Sequence, residues 1–497
     1  MLHAISFDST PHIISGAFTK KEKIMSESSI PVNSWTEWGQ LELVCVGSTQ
    51  GMCYPDYDYV APHNEVLDEC IRNYVTSFVG PRPAHRIQMA QQQLENLSNI
   101  LQGESVQVKN VQEMDQDINL LLERKRTFLR TDANEKDGKV LQKQRVEVCR
   151  SPADGKRFDH CIQTPFFQSH FQLGMSCPRD MLITLGNTIV EAPTACHTRY
   201  FEASYYRDMI YPLYTKDKRV KWLSPPKPTC SKTMFDDPEI WEKTSMTAFK
   251  NTFALNGYKT SLNEKEIAFD AADLIRMGKD VFFKKSVSTN YKGVDWLRRT
   301  FGGDGPEGLR FHVMHFPTSP DLHLDSTLIP LRPPTAGSEG LVLINQNRPP
   351  LTNELQIFLN NDWKPIWCPL PVINKASPVA NCSPNLNMNF LSLNERSCII
   401  EECELPLYHF LDDLGFDVIT CPLRVLNEFG GGIHCVTWDI RRNDSCKDYF
   451  PNQDYDEECN RDMSNAFDRP PYQDNVPNPI NLPKVSTYAT QKIQTKN

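Results

Sequence analysis

AFDAADLIRMGKDVFFKKSVSTNYKGVDWLRRTFGGDGPEGLRFHVMHF, residues 268–316, decides the fold. The apolar runs AFDAADLIR (268–276) and DVFFKK (280–285) flank a Met277-Gly278-Lys279 turn and read as paired strands. YKGVDWLRRTF (291–301) has helical spacing, and RFHVMHF (310–316) returns to strand. The order is strand, strand, helix, strand.

That order recurs in both directions. Before it stand DMLITLG (180–186), TIVEA (188–192), the helix-like FEASYYRDMIYPL (201–213) and VKWLS (220–224). After it stand HLDSTLIPL (323–331), GLVLINQ (340–346), LTNELQIFLN (351–360) and WKPIWC (363–368). NMNFLSL (387–393), SCIIEE (397–402), LPLYHFLDDLG (405–415) and FDVITCPL (416–423) follow. IHCVTWDI (433–440) opens a fifth unit with nothing after it, and its missing parts lie near the other end: LELVCVG (41–47), HRIQMAQQQLENLSNILQ (85–102) and SVQVKNV (105–111). Joining the ends predicts an α/β fold of five ββαβ units closed into a ring, with loops converging on a central site.

The chain has 497 residues, which as a soft prior suggests more than one domain, but the repeat makes 34–442 one domain. Residues 1–33 are polar and irregular and read as a flexible segment. Residues 112–165 read as an insertion, and from Arg124 to Arg145 they carry eight basic and three acidic residues, which favours a solvated surface over a docking site for an acidic partner. The tail 443–497 is rich in Asn, Asp and Pro and reads as irregular or disordered.

A net charge of −9 argues against nucleic acid as a partner, and no apolar run is long enough to span a membrane. The sixteen cysteines are dispersed without zinc spacing, so no metal site is expected. Without a secretory signal they read mostly as free thiols in a reducing, cytoplasmic compartment, with organelle targeting left open.

GGGIHCVTWD (430–439) carries the sharpest chemical signal. Three glycines before His434 and Cys435 let backbone approach a ligand closely, so Cys435 is a candidate nucleophile against the alternative of a buried structural thiol. In HLD (323–325), strand alternation places His323 and Asp325 on one face, offering a proton-transfer group beside a carboxylate. Asp180 and Asp270 fall at corresponding places, in the first strands of their units. Carboxylates around a Cys and a His suit a planar cation such as guanidinium, whose N–H groups pair bidentately with them.

VNSWTEW (32–38), CPRDMLITLGNTIVEAP (177–193), FDAADLIRMGKD (269–280), HLDSTLIPL (323–331), NQNRP (345–349) and GGGIHCVTWDIRR (430–442) together resemble the glycine amidinotransferase family, the L-arginine:amine amidinotransferases, over roughly residues 31–442. The resemblance implies a five-fold pseudosymmetric α/β propeller. It implies Cys435 as nucleophile, His323 as general acid/base and Asp270 as the carboxylate orienting it. Asp180 and Asp325 match positions that hold the guanidinium, Arg348 the position that takes the α-carboxylate of arginine, and Cys382 and Ser383 a second carboxylate-binding pair. Glycine-using members carry Asn-Pro-Met before the histidine, whereas this chain has Pro320-Asp321-Leu322. Pro320 and Leu322 therefore predict an acceptor amine other than glycine. No cofactor is implied, and a homodimer is an open expectation. An arginine deiminase-like hydrolase and a non-catalytic arginine-binding protein are the competing readings.

Overall fold

The computed structural model describes residues 30–55, 80–111, 147–149, 161–169, 171–235, 262–303, 308–316, 323–372 and 386–453. In chain order the strands and helices of the repeat are β1 Gln40–Val46, α1 Ala84–Gly103, β2 Gln107–Asn110, α2 Pro178–Met181, β3 Leu182–Leu185, β4 Thr188–Glu191, α3 Glu202–Tyr205, α4 Arg207–Lys216 and β5 Lys221–Leu223. There follow β6 Leu274–Met277, β7 Asp280–Lys284, α5 Tyr291–Phe301, β8 Arg310–Met314, β9 Leu328–Arg332, β10 Gly340–Asn345, α6 Gln356–Leu359 and β11 Trp363–Cys368. The series ends with β12 Leu391–Ser392, β13 Ser397–Glu401, α7 Leu405–Asp413, β14 Asp417–Cys421 and β15 Thr437–Asn443.

These strands form five three-stranded sheets, ordered β15-β1-β2, β3-β4-β5, β6-β7-β8, β9-β10-β11 and β12-β13-β14. Each middle strand is antiparallel to one neighbour and parallel to the other. A parallel pair needs a crossover, and in every unit a helix supplies it. The middle strand β10 is buried at all six positions, which is why GLVLIN is a continuous apolar run rather than an alternating one. In α5 the Asn290 side chain accepts the Gly293 N–H at 2.9 Å, and Val294 and Leu297 face the core.

Apolar clusters join the sheets pairwise. Leu43 packs with Leu182, Ile189 and Trp438. Ile183 and Val190 pack with Leu274 and Phe283. Ile275 and Phe282 pack with Leu328 and Val342, and Ile329 and Leu343 with Cys398 and Ile400. Leu391 and Ile399 pack with Val44 and Leu94.

Most of the 112–165 segment lies outside the described residues, as do residues 1–29. Among the described residues, no helix is long and apolar enough to cross a membrane. Eleven of the cysteines among the described residues are free thiols.

The reading of the tail 443–497 as irregular or disordered is corrected for its first residues. Asn443 is the last residue of β15 and pairs with Gln40. Asp444 accepts backbone N–H bonds from Trp35 at 3.0 Å and Thr36 at 2.8 Å. Phe450 is fully buried and stacks on Trp363 with ring centroids 5.6 Å apart. Composition averages over the segment and hides two aromatics that reach the core. Phe450→Ala should lower unfolding free energy by about 3–5 kcal/mol, the usual cost of emptying a buried aromatic site. Urea denaturation of the full chain checks this, and a loss below about 1 kcal/mol would mean that the segment does not pack.

Candidate active site

Three of the carboxylates sit in short helical turns that enter a sheet, not in the strands themselves. Asp180 lies in α2, ahead of β3. Asp270 precedes the turn Ala271–Asp273 that enters β6, and Asp325 lies in the turn Leu324–Ser326 before β9. This corrects the strand-alternation argument for His323 and Asp325. His323 has φ 69°, a conformation that non-glycine residues rarely adopt and that costs on the order of 1–3 kcal/mol. Its ring turns toward Asp270 and Asp180, while Asp325 turns toward Cys435. Equivalent turns in three sheets still bring all the groups together.

His323 Nε2 lies 3.2 Å from Asp270 Oδ2, and its Nδ1 lies 3.6 Å from Asp180 Oδ1. Cys435 Sγ donates to Asp325 Oδ2 at 3.5 Å. One donor atom each from Asp180, His323 and Cys435 fall within 4.8 Å of one another. Cys435 is buried in the turn leading into β15. A Cβ on Gly431 would lie 2.5 Å from the Cys435 Cβ and 3.0 Å from Cys177 Sγ, so only glycine admits the thiol here.

The electrostatics follow from burial among like charges. Burial disfavours an imidazolium, but the Asp180 carboxylate and the Asp270 hydrogen bond outweigh it and raise His323 to about 10. Burial raises Cys435 well above the usual thiol range, and Asp325 and Asp180 raise it further. Burial also raises Asp180, against the pull of His323 and Arg199. Asp270 and Asp325 stay below the ordinary carboxylate range, because hydrogen bonds from His323 and His434 respectively overcome their desolvation.

Asp180 Oδ1, Asp270 Oδ1 and Asp325 Oδ1 are buried and make no hydrogen bond within the chain. Orphaned carboxylate oxygens are costly, and several around one thiol call for a ligand rich in N–H donors. In the trio Asp180, His323 and Cys435, Asp180 is engaged by Arg199, His323 by Asp270 and Cys435 by Asp325. The second trio, Glu401, Cys403 and Glu404, is taken by the guanidinium of Arg424, with Nη2 2.5 Å from the sulfur and 3.3 and 3.2 Å from the carboxylates.

Arg348 is buried in the turn after β10, its N–H on the Asn345 carbonyl at 3.1 Å. Asn345 in turn donates its side-chain amide to the Ser326 carbonyl at 3.0 Å, which ties that turn to the one bearing Asp325. Pro320, Leu322, Cys382 and Ser383 lie outside the described residues.

Sequence reasoning missed the residues that hold the candidates in place. His434 Nδ1 meets Asp325 Oδ2 at 2.7 Å, and its Nε2 meets Glu37 Oε2 at 3.3 Å. Glu37 receives the Arg276 guanidinium at 2.8 and 2.9 Å. Arg179 donates Nε to the carbonyls of His434 and Thr437, both at 2.9 Å, and Nη2 to Asp439 at 2.6 Å. Arg199 donates to Asp180 Oδ2 at 2.6 Å and forks onto Glu202 at 2.6 and 2.8 Å. Asn389 contacts Cys435 Sγ at 3.1 Å. Glu37, Arg179, Arg276 and His434 all lie inside the recognised motifs, so proximity to a candidate was the available signal; Arg199 and Asn389 carried none.

No family model matches the chain. It is 30% identical over 425 residues to L-arginine:L-lysine amidinotransferase of Pseudomonas savastanoi pv. phaseolicola, covering 84% of this chain and 97% of the relative. It is also 30% identical to the mitochondrial glycine amidinotransferase of Gallus gallus, covering 84% and 85%. Among solved structures, an amidinotransferase of saxitoxin biosynthesis from Microseira wollei superposes with a TM-score of 0.66 at 28% identity, covering 84% of this chain and all of that one. Inosamine-phosphate amidinotransferase of Streptomyces griseus superposes with a TM-score of 0.64 at 25% identity, covering 84% and 99%. With a curated relative 30% identical along nearly its whole length, the chain belongs to the amidinotransferase family.

Proposed function

We propose that the chain transfers the amidino group of L-arginine to a primary amine through a covalent intermediate on Cys435, with ornithine as the first product. The observation that carries this reading is the set of three orphaned carboxylate oxygens around one thiol and one imidazolium. They suit a bound guanidinium held with its central carbon at the sulfur.

The thiol is disfavoured as an anion by the carboxylates beside it, and the positive charge of arginine offsets them, so ionisation follows substrate binding. The sulfur forms a bond to the guanidinium carbon as the bond from that carbon to the arginine chain nitrogen breaks. The thiol gives its proton up to solvent as arginine binds, and the imidazolium of His323 protonates the departing nitrogen and is left neutral. The acceptor amine then attacks the amidino carbon, loses a proton to His323, and displaces the sulfur. Asp270 orients and charges the imidazole. Asp180 and Asp325 hold the guanidinium, and Arg348 takes the α-carboxylate. Cys382 and Ser383 are the second carboxylate-binding pair.

The five sheets and the apolar clusters joining neighbouring pairs support their closure into a five-fold propeller, with 34–442 as one domain. The acceptor is a primary amine larger than glycine, because Pro320 and Leu322 replace a polar partner and a long flexible side chain. Relatives named for lysine, inosamine phosphate and glycine support an acceptor pocket that varies within the family. Free thiols suit action in a reducing compartment such as the cytoplasm.

Mass spectrometry of products from arginine and a panel of amines tests the reaction. Ornithine and a guanidino compound are expected, with kcat/KM for a larger amine above that for glycine. Citrulline and ammonia would identify a hydrolase, and binding without turnover a non-catalytic protein. In the same assay Cys435→Ser should lose turnover by about a thousandfold or more, since a serine hydroxyl is far less ionised than a thiol. Appreciable transfer by that variant would remove Cys435 from the mechanism.

His323 makes stability depend on pH. Its folded value of about 10 lies above the ordinary 6.5, so the charged imidazole stabilises the fold fully below about pH 6.5. That contribution falls as pH rises and is gone above about 10. The difference in unfolding free energy between wild type and His323→Gln should therefore shrink between pH 6.5 and 10, and a pH-independent difference would contradict the ion pairing.

A further inference from the structure

We propose that Asn389 is a catalytic residue whose side-chain amide hydrogen-bonds the Cys435 sulfur and stabilises it as a thiolate. The proposal rests on the reading of Cys435 as the nucleophile.

The orientation of the Asn389 amide is fixed by its other end. Oδ1 accepts the backbone N–H of Gly432 at 3.1 Å and that of Cys435 at 3.0 Å. An oxygen that receives two N–H donors cannot be exchanged for an NH2 group, so Nδ2 is the atom facing Sγ at 3.1 Å. An amide nitrogen only donates. The sulfur must accept, and a thiolate accepts far better than a thiol. The thiol hydrogen has its own direction, toward Asp325 Oδ2 at 3.5 Å.

The site makes room for this contact. Asn389 is buried, and its backbone carbonyl accepts the His434 N–H at 3.1 Å. A Cβ on Gly432 would lie 2.8 Å from Asn389 Oδ1, so the glycine next to the nucleophile turn is the one that admits the amide. An asparagine serving the turn alone would be complete with its oxygen on the two N–H groups and its carbonyl on the third. Here the remaining donor is spent on the reacting atom. The carboxylates of Asp325 and Asp180 and the neighbouring Cys177 all oppose a negative sulfur, and the Asn389 hydrogen bond acts the other way. Asn389 thus serves twice: it favours ionisation before attack on the guanidinium, and it receives the thiolate displaced by the acceptor amine.

The test is the pH dependence of Cys435 alkylation by iodoacetamide in the full chain, read on the Cys435 peptide by mass spectrometry and set beside steady-state kinetics. For Asn389→Ala the alkylation midpoint should rise by roughly one pH unit or more, as for loss of a charge-assisted bond. Its kcat should fall about tenfold or more while KM for arginine stays within roughly threefold. Asn389→Asp keeps the oxygen that accepts both N–H groups and places a carboxylate at the sulfur, so its midpoint should rise beyond that of the alanine variant. It decides the matter if the alanine variant does not fold. Midpoints within about 0.3 unit of wild type in the folded variants would overturn the proposal. The alkylation readout needs no turnover, so it answers separately from the Cys435→Ser assay that tests the nucleophile itself.

Discussion

Asp439, on β15, is fully buried and receives three guanidinium groups: Arg179 at 2.6 Å, Arg276 at 2.6 Å and Arg442 at 2.8 Å. From it a continuous line of polar contacts runs through Arg276 and Glu37 to His434, Asp325 and the Cys435 sulfur. Burying so many charges is expensive unless every partner is present, and then removing one leaves its neighbour uncompensated. Here the partners come from β15, from β6, from α2 and from the segment before β1, so the network forms only when those elements have met. Desolvation alone would raise the Asp439 and Glu37 carboxylates, and the surrounding cations drive both well below the ordinary range. The site inherits its geometry from that meeting of elements: Arg179 grips the carbonyls on either side of the Cys435 turn, and His434 fixes the carboxylate that faces the thiol.

Beside this balanced network the site itself is left out of balance. Three carboxylate oxygens have no hydrogen bond, the imidazole is held in its charged form, and the thiol is held in its neutral form. A guanidinium corrects all three conditions at once. It supplies donors to the carboxylates and a positive charge beside the sulfur, and it meets an acid ready to protonate its leaving nitrogen. On the proposed reading, reactivity is in this way conditional on substrate, which protects a buried thiol from ionising in the absence of arginine.

The five-fold repeat was legible because middle strands buried on both faces leave long apolar runs at regular intervals, and because the unpaired last strand pointed to the N-terminal strands that complete its sheet. Cys435, His323, Asp180, Asp270 and Asp325 were legible as chemistry. Their local geometry was not. The helical turns at 178–181, 271–273 and 324–326 are too short to leave a periodic pattern, and the positive φ of His323 is imposed by tertiary contacts. Asn389 and Arg199 act through contacts with residues 46 and 19 positions away, and no local spacing encodes such a partnership. The segment 444–453 was misjudged for a related reason: a buried ring, Phe450, and a half-buried carboxylate, Asp444, are diluted by polar neighbours in any average over composition.

The central claim is that the orphaned carboxylates present a guanidinium carbon to the Cys435 sulfur. Its most direct test is to mix the full chain with arginine in the absence of any acceptor amine, quench in acid, and map the modified peptide by mass spectrometry. The account predicts one amidino group on Cys435, formed with one equivalent of ornithine and discharged when an amine is added. Ornithine release with Cys435 unmodified, or an amidino group on another of the cysteines, would contradict it.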